Sequence, residues 1–399
     1  MKGKTMNRAD SNSPSRASVR VEANVGEGFW RKSAQDTLPP PDMVGPYMRN
    51  RPVPQMPVPG RKAWIIGSGI AGLAAAFYLM RDGGMKGEDI TILDALQVTG
   101  GSLDGAGNAE QGYIVRGGRE MNWNYDNFWD LFQDVPALEL PAGYSVLDEY
   151  RWVNDSDPNW SKARLMHKQG QLRDFATLGL SKGHQWEIVK LLLKRKEDLD
   201  DITIEQYFSK SFLETNFWYL WRSMFAFENW QSLLEMKLYM HRFLDAIDGL
   251  TDMSALVFPK YNQYDSFVVP LTRMLREQGV RVQFDTRAHD LDLREEGGKR
   301  TVTAIRCKVA GREETIVVGA DDVVFALTGS MTEGTAYGDM DSVPVLARAN
   351  SEPGEDSDWT LWRNLAKKSP VFGKPEKFCG DVARSMWESA TLTCKPSPL

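Results

Sequence analysis

The first strongly apolar run of the chain is Ala63-Trp64-Ile65-Ile66; everything before it is polar, then Pro-rich from Pro39 to Pro59. Such a lead-in suits neither a ladder nor a long helix and reads as a tail. The apolar run predicts a short buried strand. Gly67-Ser68-Gly69-Ile70-Ala71-Gly72 follows, then a helix over Leu73 to Met80 that Gly83-Gly84 ends, then a strand Ile90-Thr91-Ile92-Leu93-Asp94. That is a βαβ unit. Residues 175–250 read as helical and aromatic: Leu233, Met236, Met240, Phe243 and Ile247 recur at three- and four-residue steps, and Thr203 with Gln206 has capping-box spacing. Strand signals then return. A helix from Ser266 to Gln278 stops at Gly279, and Val280 to Phe284 follows. Asp290 to Arg294, Thr301 to Val309 and Thr315 to Val318, with Gly297-Gly298 at a turn, predict a β-meander. Val323 to Ser330 predicts a last buried strand, and the chain after residue 346 reads as polar and irregular.

Composition narrows the function. Hydrophobic residues are 42% of the 399, so a sizeable core can form. Aromatics are 11%, with 13 Trp, which fits either core filling or the lining of a site for a flat or long apolar ligand. The net charge of −6 argues against a nucleic-acid partner. Cys307, Cys379 and Cys394 are scattered, as are 4 His, so neither a disulfide framework nor a metal site is expected. With no apolar h-region at the N-terminus, a cytoplasmic protein is the default.

Three motifs carry chemistry. In GSGIAG at 67–72, Gly67 would make the tight turn, Gly69 would let phosphates approach, and Gly72 would let helix and strand pack. Ala71 lies in the first helical turn, where free N–H groups and the dipole attract a pyrophosphate. Asp94 ends the next strand, placed to accept from ribose hydroxyls. The alternative is a structural glycine turn. FAD is favoured over NAD because Gly100, Gly101 and Ser102 bring more amides to the phosphates, and because the meander is followed by a strand ending in Gly329. The second motif is Arg116-Gly117-Gly118-Arg119-Glu120-Met121. Its glycines suggest backbone against a planar ligand. Glu120 is a candidate general base, or the partner of Arg116 or Arg119 in an ion pair. The third is Tyr239, at the border of an apolar helix face: a protonated phenol able to donate, or a core tyrosine.

The segments WIIGSGIAGLAAAFYL, TGGSLDG, RGGREMNWNYDNFWDLF, LYMHRFLDAIDGL, FPKYNQYDSFVVPL and FALTGSMTEG occur in this order. They resemble the oleate hydratases, once called myosin-cross-reactive antigens, and the resemblance runs from about Gly26 to about Ser389. It implies an FAD-binding enzyme that hydrates the cis double bond of unsaturated fatty acids without net redox turnover, oleate giving a 10-hydroxy acid. By the resemblance Glu120 activates water and Tyr239 donates the proton. Gln263, with Asn262 beside it, contacts the substrate carboxylate. Arg116, Gly118, Met121 and Ser330 join the flavin contacts. Two departures matter. Thr328 stands where the family usually has Asn. The family also continues past residue 399, with further flavin and carboxylate contacts and a membrane-associating region, which implies weak FAD affinity and low stability for these residues alone.

The expectation is therefore an α/β fold: a Rossmann-like FAD-binding fold with a β-meander and an inserted helical substrate domain. The tail covers 1–60, the flavin domain 61–145 and 256–345, the helical domain 146–255, and a C-terminal segment 346–399. An unsaturated fatty acid in an apolar channel is the expected substrate. Transient contact with a membrane surface and a homodimer are candidate associations. A redox flavoenzyme of the amine-oxidase or desaturase type, and a non-catalytic FAD-binding remnant, are the alternatives.

Overall fold

The computed structural model describes residue 38 and residues 59–103, 105–108, 112–115, 120–160, 165–167, 170–173, 177–249, 251–330, 332–333, 335–339, 341–344, 357–381 and 384. These divide into two compact units. The described residues of 1–119, 126–152 and 259–399 form the first, and those of 120–125 and 153–258 the second.

In the first unit, burial decides the opening elements. Strand β1, Ala63–Ile66, is nearly all buried, as a strand covered on both faces must be. The helix α1, Ile70–Arg81, turns Gly72, Leu73, Ala76 and Phe77 inward, and β2, Ile90–Leu93, returns parallel to β1. An antiparallel hairpin follows, β3 at Gly105–Asn108 and β4 at Gly112–Val115. In the second unit a small hairpin pairs β5, Leu165–His167, with β6, Gln171–Arg173. Back in the first unit, β7, Arg281–Gln283, pairs in parallel with β2. Strands β8, Thr286–Glu296, β9, Lys299–Val309, and β10, Arg312–Val317, form the expected antiparallel meander. Gly297 and Gly298 turn it at φ +58 and +76, which residues with a Cβ resist. Finally β11, Val323–Ala326, lies parallel to β1 on its other side.

The parallel sheet therefore runs β11-β1-β2-β7. The chain winds outward from β1 to β7, then comes back to the opposite side of β1. In open α/β sheets ligands bind beyond the carboxyl ends of the strands at such a reversal. Gly67 follows β1 there and Leu327 follows β11, whose N–H donates to the Ile66 carbonyl at 2.9 Å.

Four expectations change. The last strand stops at Ala326 rather than Ser330, because Gly329 turns at φ +84 and Trp362 Nε1 takes the Thr328 carbonyl at 2.8 Å. The chain after residue 346 is not all irregular: Trp359–Lys368 is a helix whose Leu361 and Leu365 bury against Ala288, Leu291 and Ile305 of the meander. The helix expected from Ser266 begins as a π-turn over Tyr264–Val268, with Val269 N–H donating to the Tyr264 carbonyl. Pro270, which has no N–H to donate, sits at the start of the α-helix Val269–Glu277, and the wider turn accommodates it. Lastly, the unit boundaries shift. Residues 146–152 belong with the sheet, where Tyr150 packs on Trp129 and Phe267 with centroids at 4.7 and 5.6 Å. Residues 120–125 belong with the helices.

The second unit is helical. Its core joins Leu191, Phe208, Phe212, Phe217, Trp218, Trp221, Leu233, Met236 and Met240, so much of the aromatic surplus fills this core. The Leu233–Phe243 helix faces it with the residues whose spacing predicted that face. Thr203 N–H donates to Gln206 Oε1 at 2.8 Å, but the helix it opens is short, Ile204–Tyr207.

Candidate functional site

In the first unit, the glycine loop separates two kinds of glycine. Gly67 sits at φ +101, and a Cβ there would lie 2.7 Å from the Leu327 carbonyl oxygen. A Cβ on Gly72 would lie 2.0 Å from the Gly67 carbonyl oxygen. The fold demands both. Gly69 has φ −63 and ψ 174, a conformation open to any residue, and a Cβ there would meet nothing within 4 Å. Nothing among the described residues requires a glycine at this position. Gly69 caps α1 without a side-chain hydrogen bond, and Ala71 is exposed in its first turn, so the leading N–H groups have no side-chain partner at the cap. Gly100 bridges to Gly69, and a Cβ on Gly101, at φ +54, would lie 3.1 Å from the Gly69 Cα. Ser102, half-buried, lies in the short turn Gly101–Leu103 beside them. The space before Gly69 suits a diphosphate.

Asp94 is buried and accepts from Ser68 N–H at 2.8 Å, Ser68 Oγ at 2.5 Å and Leu96 N–H at 2.8 Å. Burial raises its carboxyl above the usual range, against these hydrogen bonds. Its own chain thus takes three of about four acceptor positions. It ties the glycine loop to β2 and keeps one place on Oδ1. Past the turn that follows β11, Ser330 is exposed and shares a 2.9 Å hydrogen bond with Thr332. Thr328 Oγ1 reaches the Asp358 carbonyl at 3.5 Å. Asn262 caps the helical run after it: Asp265 N–H donates to its Oδ1 at 3.0 Å, and its Nδ2 donates to Asp265 Oδ2 at 2.7 Å. Gln263 is buried. Arg116 and Gly118 lie outside the described residues.

In the second unit, Glu120 and Tyr239 share a neighbourhood. Met121 is buried and pairs with Val257 through two N–H···O bonds of 2.9 Å, which anchors the strand-like start of segment 120–125. Among the described residues, Glu120 makes no ion pair. Tyr239 borders the core, ringed by Phe225 at 5.4 Å, Phe227 at 5.1 Å and Phe243 at 6.1 Å. Tyr125 also packs here, its ring 6.4 Å from that of Phe243. Burial pushes the Tyr125 phenol up; the Arg242 guanidinium opposes this, while Tyr239 and the Glu120 charge add to it. Both candidate catalytic groups are thus within electrostatic reach of one phenol. A shallow cleft of about 540 Å³ in this unit is lined by Thr177, Leu178, Gly179, Leu180, Ser181 and Gln185 and holds none of these groups.

The family model described as the MCRA family matches residues 60–399. The chain belongs to the MCRA family. It is 42% identical over 337 residues to an oleate hydratase from Streptococcus pyogenes, an alignment covering 84% of this chain and 56% of that one. It is 29% identical over 362 residues to a linoleate hydratase from Lactiplantibacillus plantarum, covering 84% of this chain and 62% of the other. The chain thus spans little more than half the length of these curated relatives.

In this MCRA-family chain Tyr125, Arg242 and Ser68 carry no signal in the linear sequence. Tyr125 stands only five residues from Glu120, but nothing in a linear pattern marks the helix that it faces. Ser68 occupies a variable position of the glycine fingerprint, and only the fold shows its hydroxyl on Asp94.

Proposed function

We propose that this chain acts as an FAD-binding fatty-acid hydratase, adding water to the cis double bond of an unsaturated fatty acid, with oleate giving 10-hydroxystearate. The observation that carries the reading is that Glu120 and Tyr239 both act on the phenol of Tyr125. An alkene offers no polar handle, so hydration needs a proton for one carbon and a positioned water for the other. Tyr239 transfers its phenolic proton to one alkene carbon, and positive charge develops on the other. Glu120, a carboxylate with no ion-pair partner among the described residues, orients the water and takes its proton as the C–O bond forms. Returning that proton from Glu120 to the Tyr239 phenolate through solvent closes the cycle with no net redox change.

The glycine loop supports a Rossmann-like FAD site. Gly67, Gly69, Ala71, Gly72, Gly101 and Ser102 would hold the diphosphate and Asp94 the ribose, with Arg116, Gly118, Met121 and Ser330 as further contacts. FAD, when bound, supplies electrostatic stabilisation of the developing charge. Gln263 and Asn262 would hold the substrate carboxylate. The helix Lys182–Leu193 supports a lipid-surface contact, since it exposes Trp186 (58%), Val189 (39%) and Leu193 (78%) alongside exposed Lys182 and Lys190. Among the described residues no helix is long and apolar enough to cross a membrane.

Oleate and FAD incubated with the chain in heavy-oxygen water test the reading. Hydroxystearate carrying the label, with flavin left oxidised, is the expected result. Substrate-dependent flavin reduction would favour the amine-oxidase or desaturase alternative. Flavin binding without product would favour the non-catalytic remnant.

A further inference from the structure

We propose that Arg242 is a positioning residue that fixes Glu120 against Tyr239, acting through Asn124 and Tyr125; the catalytic part of this inference rests on the hydratase reading above. Arg242 follows Tyr239 by one helical turn, so the two side chains project from the same side of the Leu233–Phe243 helix. Its Nη2 donates to the Asn124 carbonyl at 2.7 Å, and its guanidinium stands 4.6 Å from the centre of the Tyr125 ring. A charged donor on a carbonyl and a cation over a ring are both directional.

The segment they grip is short and already stiff. Asn124 N–H donates to Asn122 Oδ1 at 2.8 Å and Tyr125 N–H to the Asn122 carbonyl at 3.0 Å, closing a turn. Glu120 precedes Met121, which is pinned to Val257. The segment that follows Glu120 is therefore held at two points: by the Met121 bridge next to Glu120 and by Arg242 at Asn124 and Tyr125. Phe243 completes the clamp, since it packs on both Tyr125 and Tyr239. Arg242 is itself exposed, so core packing does not account for its contacts. Without it, segment 120–125 keeps the Met121 bridge but loses the end that faces the proton donor.

Hydrogen exchange and steady-state kinetics on the full chain test this with Arg242→Ala, Arg242→Lys and Tyr125→Phe. In Arg242→Ala, amide exchange across 120–125 should quicken by about ten-fold or more, while the Asn216–Phe225 helix keeps its protection. The same variant should lose on the order of ten- to a hundred-fold in kcat with KM within about two-fold, the signature of a displaced catalytic group. Arg242→Lys keeps the charge and a donor and should recover much of both. Tyr125→Phe keeps the ring under the guanidinium and should leave exchange across 120–125 unchanged. Unchanged exchange across 120–125 in Arg242→Ala would overturn the inference, as would a raised KM with kcat intact. If the parent chain yields no hydroxy acid, the hydratase reading falls, and the exchange data still decide the clamp.

Discussion

Gly69 and Gly72 stand in one loop and are glycines for opposite reasons. A Cβ on Gly72 would collide with the Gly67 carbonyl, whereas one on Gly69 would meet no atom of the described residues within 4 Å. The fingerprint shows both as G and cannot tell them apart; the backbone can. Gly72→Ala should therefore lower the melting temperature, while Gly69→Val should melt as the parent does and retain no FAD. Thermal melts and flavin absorbance after gel filtration check the pair, and flavin retained by Gly69→Val would remove the diphosphate from this loop. Glu120 and Tyr239 were visible in the sequence as residue types, each with a bland alternative. The ion-pair alternative for Glu120 names Arg116 and Arg119, which lie outside the described residues. If the division of labour holds, Glu120→Ala and Tyr239→Phe should each cost about 3 to 5 kcal/mol of transition-state stabilisation. The double variant should cost less than the sum, because both groups act on one step. Near-parental hydration rates in either single variant would return that residue to its bland alternative.

Elements were legible where one rule dominated. The βαβ unit shows because β1 is a continuous buried run and α1 starts at a glycine loop. The meander shows because a Gly-Gly pair can turn at positive φ. The helix Trp359–Lys368 did not show, since only Leu361 and Leu365 are fully buried along it and Arg363, Asn364, Lys367 and Lys368 break up the apolar pattern. Its importance is tertiary: it covers one face of the meander, and Trp359 and Trp362 brace the turn after β11. Leu361→Ala should cost about 2 to 5 kcal/mol in urea unfolding, as other buried leucine truncations do. Asp358, at the start of this helix, adds a pH dependence. Burial first, then Glu333, pushes its carboxyl up to about 6, while Arg287 pulls the other way. A carboxyl raised in the folded state favours folding when protonated. Its contribution is present below the unfolded value of roughly 4 and is lost as pH rises toward 6. Asp358→Asn should therefore gain stability relative to the parent between pH 4 and 6. Parallel urea curves at both pH values would show that the group does not titrate in this range.

At the scale of the whole molecule, the chain is acidic, with a net charge of −6, yet one helix presents an apolar stripe alongside lysines. The sequence did not reveal that stripe. Leu191 is fully buried on the opposite face of the same helix, so apolar residues occur all round and periodicity does not say which side faces water. Burial resolves it: Trp186, Val189 and Leu193 recur at steps of three and four on the exposed side. A substrate with a long acyl chain partitions into bilayers, and a basic apolar face suits an anionic lipid surface through both hydrophobic burial and charge. Trp186→Ser combined with Leu193→Ser should weaken co-sedimentation with vesicles containing phosphatidylglycerol by at least about ten-fold, from the apolar burial lost. Salt at about 0.5 M should weaken the parent's binding as well, because the lysines act across solvent. The substitutions lie on an exposed face, so the melting temperature should hold. Unchanged vesicle binding in the double variant would separate this helix from any lipid contact. A mass that rises with protein concentration in the parent and not in the variant would assign the face to a second copy of the chain instead.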